Sequence, residues 1–103
     1  MSTIKIKTQQ QDGYSELKIL IAHPMENGRN RDPQTGALIP ALFINNLQVS
    51  LNQDTLFSAD LGGSMAKNPF FTLRIAQLTS GDVIKVIWQD NQANSDSAQY
   101  SCA

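Results

Sequence analysis

Apolar and polar residues alternate with a period of two along most of the chain, the pattern of strands with one buried face. Ile4 and Ile6 alternate with Lys5 and Lys7, and Leu17, Ile19 and Ile21 alternate with Glu16, Lys18 and Leu20. Residues 41–51 place Ala41, Phe43, Leu47, Val49 and Leu51 on one face; Asn45 interrupts that face and marks a bulge or an edge. Residues 55–61 form a shorter candidate strand. Phe71, Leu73 and Ile75 alternate with Thr72, Arg74 and Ala76. Residues 83–88 are β-branched and nearly continuous, as expected of a central strand covered on both faces. The last run, 96–102, is polar with Ala98, Tyr100 and Cys102 on one face, as expected of an edge strand or a weakly held tail.

Turn residues separate these runs: Asp12-Gly13, Asn52-Gln53-Asp54, Ser80-Gly81-Asp82 and Asp90-Asn91. No amphipathic helix of convincing length interrupts them. About seven short strands in one domain, residues 1–103, predict an all-β fold, an immunoglobulin-like β-sandwich. The Cys…Trp…Cys spacing of antibody domains is absent, and Trp88 falls on the penultimate strand as a core residue. Two segments fit no plain hairpin. Residues 23–40 lack periodicity, and loops beyond about 12–15 residues are usually functional or disordered. Residues 62–69 lead through Gly62-Gly63-Ser64 to Pro69 and Phe70. Local function is expected on these loops.

Composition narrows the functions. With 41% apolar and 17% charged residues, the chain of 103 residues supports a packed core. A formal net charge of −1 argues against nucleic acid as the main partner. One cysteine excludes an intrachain disulfide, and one histidine excludes a multi-histidine metal cluster. No run approaches the roughly 18 apolar residues of a membrane-spanning helix. The N-terminus shows no secretory signal, so the chain reads as cytosolic, or as the passenger of a signal-bearing partner.

Candidate chemistry is sparse. His23 is the only histidine, and a general base there needs a nucleophile and an orienting acid; Glu26 and Asp32 are near in sequence, but nothing fixes their geometry. A loop hydrogen bond or an interface contact is the competing role. Residues 62–66 resemble a nucleophile elbow, but Ala66 replaces its last glycine and the strand-to-helix context is missing. Residues 90–101 fail the calcium-loop pattern at the sixth and twelfth positions, Ser95 and Ser101, and read as a solvated turn. Arg29 and Arg31 suit carboxylates or an anionic ligand, though Asp32 partly cancels their charge. Cys102 stands near the C-terminus with no cationic sequence neighbour to lower its pKa. It is a small strand residue or a candidate for an interchain disulfide. These residues indicate no catalytic group, cofactor or metal ligand.

Four stretches together resemble the SoxZ family, the small subunit of the SoxYZ sulfur-carrier complex of periplasmic thiosulfate oxidation. They are residues 21–28 (Ile-Ala-His-Pro-Met-Glu-Asn-Gly), 38–44 (Leu-Ile-Pro-Ala-Leu-Phe-Ile), 66–70 (Ala-Lys-Asn-Pro-Phe) and 81–91 (Gly-Asp-Val-Ile-Lys-Val-Ile-Trp-Gln-Asp-Asn). The resemblance covers nearly the whole chain. It implies an immunoglobulin-like sandwich and a non-catalytic role. In that family the partner SoxY ends in Gly-Gly-Cys-Gly-Gly, a mobile arm whose cysteine carries sulfur intermediates between enzymes. SoxZ binds SoxY and helps dock it to the other Sox proteins, and it reaches the periplasm by co-export with its signal-bearing partner. Cys102 lacks the flanking glycines of the carrier arm, so the carrier role does not transfer to it.

The resemblance and the loop placement together nominate His23, Pro24, Met25 and Glu26, with Lys67, Asn68 and Phe70, as partner-binding residues. A structural role competes for the same residues. The expected partners are a SoxY-like cysteine-arm subunit and, transiently, other thiosulfate-oxidising Sox proteins, with neither nucleic acid nor membrane. The alternative is a stand-alone immunoglobulin-like binding module for peptide or carbohydrate, for which Tyr14 and Tyr100 are the candidate exposed aromatics.

Overall fold

The computed structural model describes residues 3–62 and 65–102. Gly63 and Ser64, which carry the elbow-like turn, lie outside the described residues. Seven strands follow one another: β1 (Ile4–Gln10), β2 (Ser15–Ile21), β3 (Ile44–Leu51), β4 (Asp54–Asp60), β5 (Phe70–Ile75), β6 (Val83–Asp90) and β7 (Ser95–Ser101). They form a three-stranded sheet, β1-β2-β5, and a four-stranded sheet, β4-β3-β6-β7, with every pairing antiparallel. No helix occurs among the described residues. This is the expected seven-strand immunoglobulin-like sandwich.

The period of two sets the core. Leu17, Ile19 and Ile21 of β2 face Leu47 and Val49 of β3 and Ile84, Val86 and Trp88 of β6 in one buried cluster. Such side chains each contribute about 1.5–3 kcal/mol when fully buried. The sides of the sandwich are tied by polar contacts. The Trp88 indole donates to Thr3 Oγ1 at 3.0 Å, and Thr3 donates from both N–H and hydroxyl to Asp96 Oδ2 at 2.8 and 2.7 Å.

Two expectations change. The strand expected from Ala41 begins at Ile44, and the register against β6 shifts between Ile44 and Asn46. Asn45 is thus a bulge, and it reverses the phase, so Ile44 and Leu47 both point inward. The second concerns β6. It is central within its sheet, yet its burial alternates, with Val83, Lys85 and Ile87 only half-buried. Only one face of the sheet packs on the other sheet, so an almost continuous apolar run still has an outer side. The last strand, β7, is an edge, as expected, with Ala98, Tyr100 and Cys102 packed on the core.

Candidate functional site

Three connections share one end of the sandwich: 22–43 between β2 and β3, 61–69 between β4 and β5, and 91–94 between β6 and β7. Antiparallel pairing puts them there, since β2, β4 and β6 end where β3, β5 and β7 begin. The inward phase of two strands continues past their last core residues. Leu17, Ile19 and Ile21 lead to His23 and Met25; Ile84, Val86 and Trp88 lead to Asp90. Both runs converge on one buried polar pair, each from a different sheet.

The His23 ring is 4% exposed, and its Nε2 lies 3.2 Å from Asp90 Oδ2. Its Nδ1 accepts from the Met25 N–H at 3.1 Å, which assigns the ring proton to Nε2, donating to Asp90. The ring edge meets Trp88 at 5.1 Å between centroids, at 82°. Asp90 also accepts from the N–H groups of Gln92 and Asn94 at 3.0 and 2.8 Å and from the Asn94 side chain at 3.0 Å. Burial pushes the Asp90 carboxyl up, but the hydrogen bonds from Asn94, His23 and Gln92 outweigh it and hold the pKa below the ordinary value. The acid that orients His23 is therefore Asp90, rather than Glu26 or Asp32. With both ring nitrogens engaged, His23 acts as a brace between the loop and the end of β6.

The brace joins the loops. His23 N–H donates to Asn68 Oδ1 at 3.0 Å, and Asn68 N–H returns to the His23 carbonyl at 2.9 Å. Ile21 N–H donates to the Pro69 carbonyl at 3.0 Å. Met25 is 6% exposed with φ at 50°, and its Sδ accepts from the Ile44 N–H at 3.4 Å. A left-handed methionine costs about 1–2 kcal/mol, which its buried side chain offsets.

Beyond the brace the long connection is a two-stranded arm rather than an irregular loop. Glu26 pairs with Leu42 and Arg31 with Leu38 as antiparallel bridges. Ile39 N–H donates to the Asn30 carbonyl and Asp32 N–H to the Ala37 carbonyl, both at 2.8 Å. At the tip Asp32 Oδ1 accepts from Gln34 and Thr35, and Arg31 Nη1 donates to the Gly36 carbonyl at 2.9 Å. At the base, Asn91 and Gln92 side chains both donate to the Ala41 carbonyl at 2.9 Å. The arm carries exposed Leu38, at 54%, beside half-buried Ile39. Its absence of periodicity in sequence follows from its being a narrow ribbon with no side packed on the core.

The residues nominated from sequence separate into two groups. His23 and Met25 are buried and build the loop end. Pro24, Lys67 and Asn68 are exposed, Glu26 is half-buried and accepts from Asn30 at 2.9 Å, and Phe70 is 57% exposed on the first position of β5. Cys102 is a free, half-buried thiol whose backbone pairs with Asp82 and Gly81. Burial pushes its pKa up and the Asp82 carboxylate adds to that. Asp90, expected in a solvated turn, is instead buried. Its signal was the alternation Ile84, Val86, Trp88, Asp90, which assigns it inward.

No curated protein matches the chain in comparison with known sequences. A family model described as Sulphur oxidation protein SoxZ matches residues 4–101, and the chain therefore belongs to the SoxZ family of sulfur-oxidation proteins.

Proposed function

We propose that this chain is the non-catalytic subunit of a heterodimeric sulfur carrier in periplasmic thiosulfate oxidation. It binds a SoxY-like cysteine-arm subunit and helps dock that subunit to the other Sox proteins. The observation that carries this reading is the family match across residues 4–101. The loop end supports it. A braced platform presents Pro24, Glu26, Lys67 and Asn68, and the arm extends Leu38, which the chain itself leaves exposed, with half-buried Ile39 beside it. Stable interfaces bury apolar groups of this kind at their centre and polar ones at their rim. His23 and Met25 act in it by position, holding the loops in register. Localisation in the periplasm follows, by co-export with a signal-bearing partner. The carbohydrate-module alternative gains little from the tyrosines: Tyr14 lies under Arg74 at 5.0 Å, and the Tyr100 hydroxyl accepts from Thr8 at 3.1 Å.

The test is a titration against a SoxY-like cysteine-arm subunit, with and without reductant. Tight one-to-one binding that survives reductant supports the subunit reading and leaves Cys102 dispensable. Binding lost in reductant moves the interface to a Cys102 disulfide. No binding in either condition overturns the proposal. Leu38→Asp should weaken binding at least tenfold while leaving the unfolding midpoint unchanged.

A further inference from the structure

The outer face of the β1-β2-β5 sheet carries a charge pattern that folding alone does not explain. Strand register arranges its side chains in three rows: Lys5–Leu20–Phe70, Lys7–Lys18–Thr72 and Gln9–Glu16–Arg74. Four cations stand there against one carboxylate, in a chain of formal net charge −1. Glu16 is 3.6 Å from Lys18, and among the described residues no carboxylate pairs with Lys5 or Lys7. Lys7 and Lys18 lie directly opposite on neighbouring strands, an arrangement that destabilises a sheet. Beside them Leu20 and Phe70 are 36% and 57% exposed, adjacent across β2 and β5. Lys5, Lys7, Lys18, Leu20 and Phe70 together line a groove of about 420 Å³.

We propose that this face docks an acidic protein surface. Its carboxylates meet Lys5, Lys7 and Lys18, and one apolar side chain enters between Leu20 and Phe70. This deepens the docking role proposed above, and rests on it for the identity of the partners. The face is separate from the loop end except at Phe70, which borders both. Charge selects the partner: an anionic surface relieves the Lys7–Lys18 repulsion and steers encounter. A small anion would leave Leu20 and Phe70 unused. Nucleic acid would need cations continuing beyond the patch. The three rows span about 10 by 14 Å between Cα atoms, from strand spacings of about 4.8 Å and two-residue steps of about 6.8 Å. That is the scale of a transient contact, as a carrier visiting several enzymes requires.

The test titrates the ¹⁵N-labelled full chain with a short peptide of Asp and Glu around one central Phe. The expected amide shifts are confined to the rows of Lys5, Lys7, Lys18, Leu20 and Phe70. Affinity should fall several-fold from low to physiological salt and at least tenfold in Lys5→Glu/Lys7→Glu, with Lys5→Gln/Lys7→Gln intermediate. Phe70→Ser should lose affinity for this peptide but not for its all-acidic counterpart. Both lysine variants should bind the cysteine-arm subunit as wild type does. Absent or scattered shifts, or affinity unchanged in both lysine variants, overturn the docking face. So do equal shifts with inorganic phosphate, single-stranded DNA or phosphatidylglycerol vesicles, and so does concentration-dependent self-association through this face. Peptide shifts without subunit binding would leave the face standing and remove the subunit reading; the reverse result removes the face alone.

Discussion

Asp90→Ala should be the most damaging single change at the loop end. The carboxylate receives four hydrogen bonds, one from His23 and three from Gln92 and Asn94. Their costs on removal differ. Gln92 and Asn94 are exposed, so water replaces the lost acceptor, and the turn loses about 1 kcal/mol. The His23 ring is 4% exposed, so its Nε2–H is stranded, at about 1–3 kcal/mol. Together the variant loses about 3 kcal/mol of the roughly 5–15 kcal/mol expected for a domain of this size. At about 4–8 °C per kcal/mol, the unfolding midpoint falls by about 12–24 °C. Urea and thermal unfolding followed by circular dichroism measure both quantities. Asp90→Asn keeps one acceptor oxygen and should lose less. A double-mutant cycle with His23→Ala should show coupling of about 1 kcal/mol or more. A loss below about 0.5 kcal/mol in Asp90→Ala, or zero coupling, would refute the brace.

Stability should also be acid-sensitive. Asp82, Asp90 and Asp96 all have folded pKa values below the ordinary one, through hydrogen bonds from Thr79 and Asn52, from Asn94, His23 and Gln92, and from Thr3, respectively. Groups depressed on folding contribute fully above their unfolded pKa, so unfolding midpoints should hold above about pH 5 and drop as pH falls through the folded values, less steeply in Asp90→Asn. Gly28→Ala should cost about 1–3 kcal/mol, because φ is +85° and the new Cβ would stand 3.2 Å from Ala41 Cβ. Faster amide exchange across 26–42 would report it, with partial rescue by Ala41→Gly. The Cys102 thiol should react several-fold more slowly than free cysteine with an aromatic disulfide reagent at neutral pH, and Asp82→Asn should speed it; a rate equal to free cysteine would contradict the burial and charge that raise its pKa.

The strands and the core were legible in the sequence because they depend on local alternation. Leu17, Ile19 and Ile21, and Ile84 and Val86, declare their faces by spacing alone, whereas Asn45 marks only a break in the spacing, which the register against β6 resolves as a bulge. The family was legible too, because motifs such as 23–28 and 66–70 are contiguous. Which side chains meet was not. His23 and Asp90 are 67 residues apart, one just past the end of β2 and the other at the end of β6 in the opposite sheet, so only the stacking of the sheets converts two inward phases into one hydrogen bond. The same stacking gives the nominated loop residues their division into buried braces and exposed surface. The Lys7–Lys18 opposition needed a strand register, which turn geometry and packing set together. The arm needed more still: its pairing of Glu26 with Leu42 leaves no periodic trace, because neither side of the ribbon is buried. The sequence determines what each residue prefers to face, and the tertiary structure decides what is there to be faced.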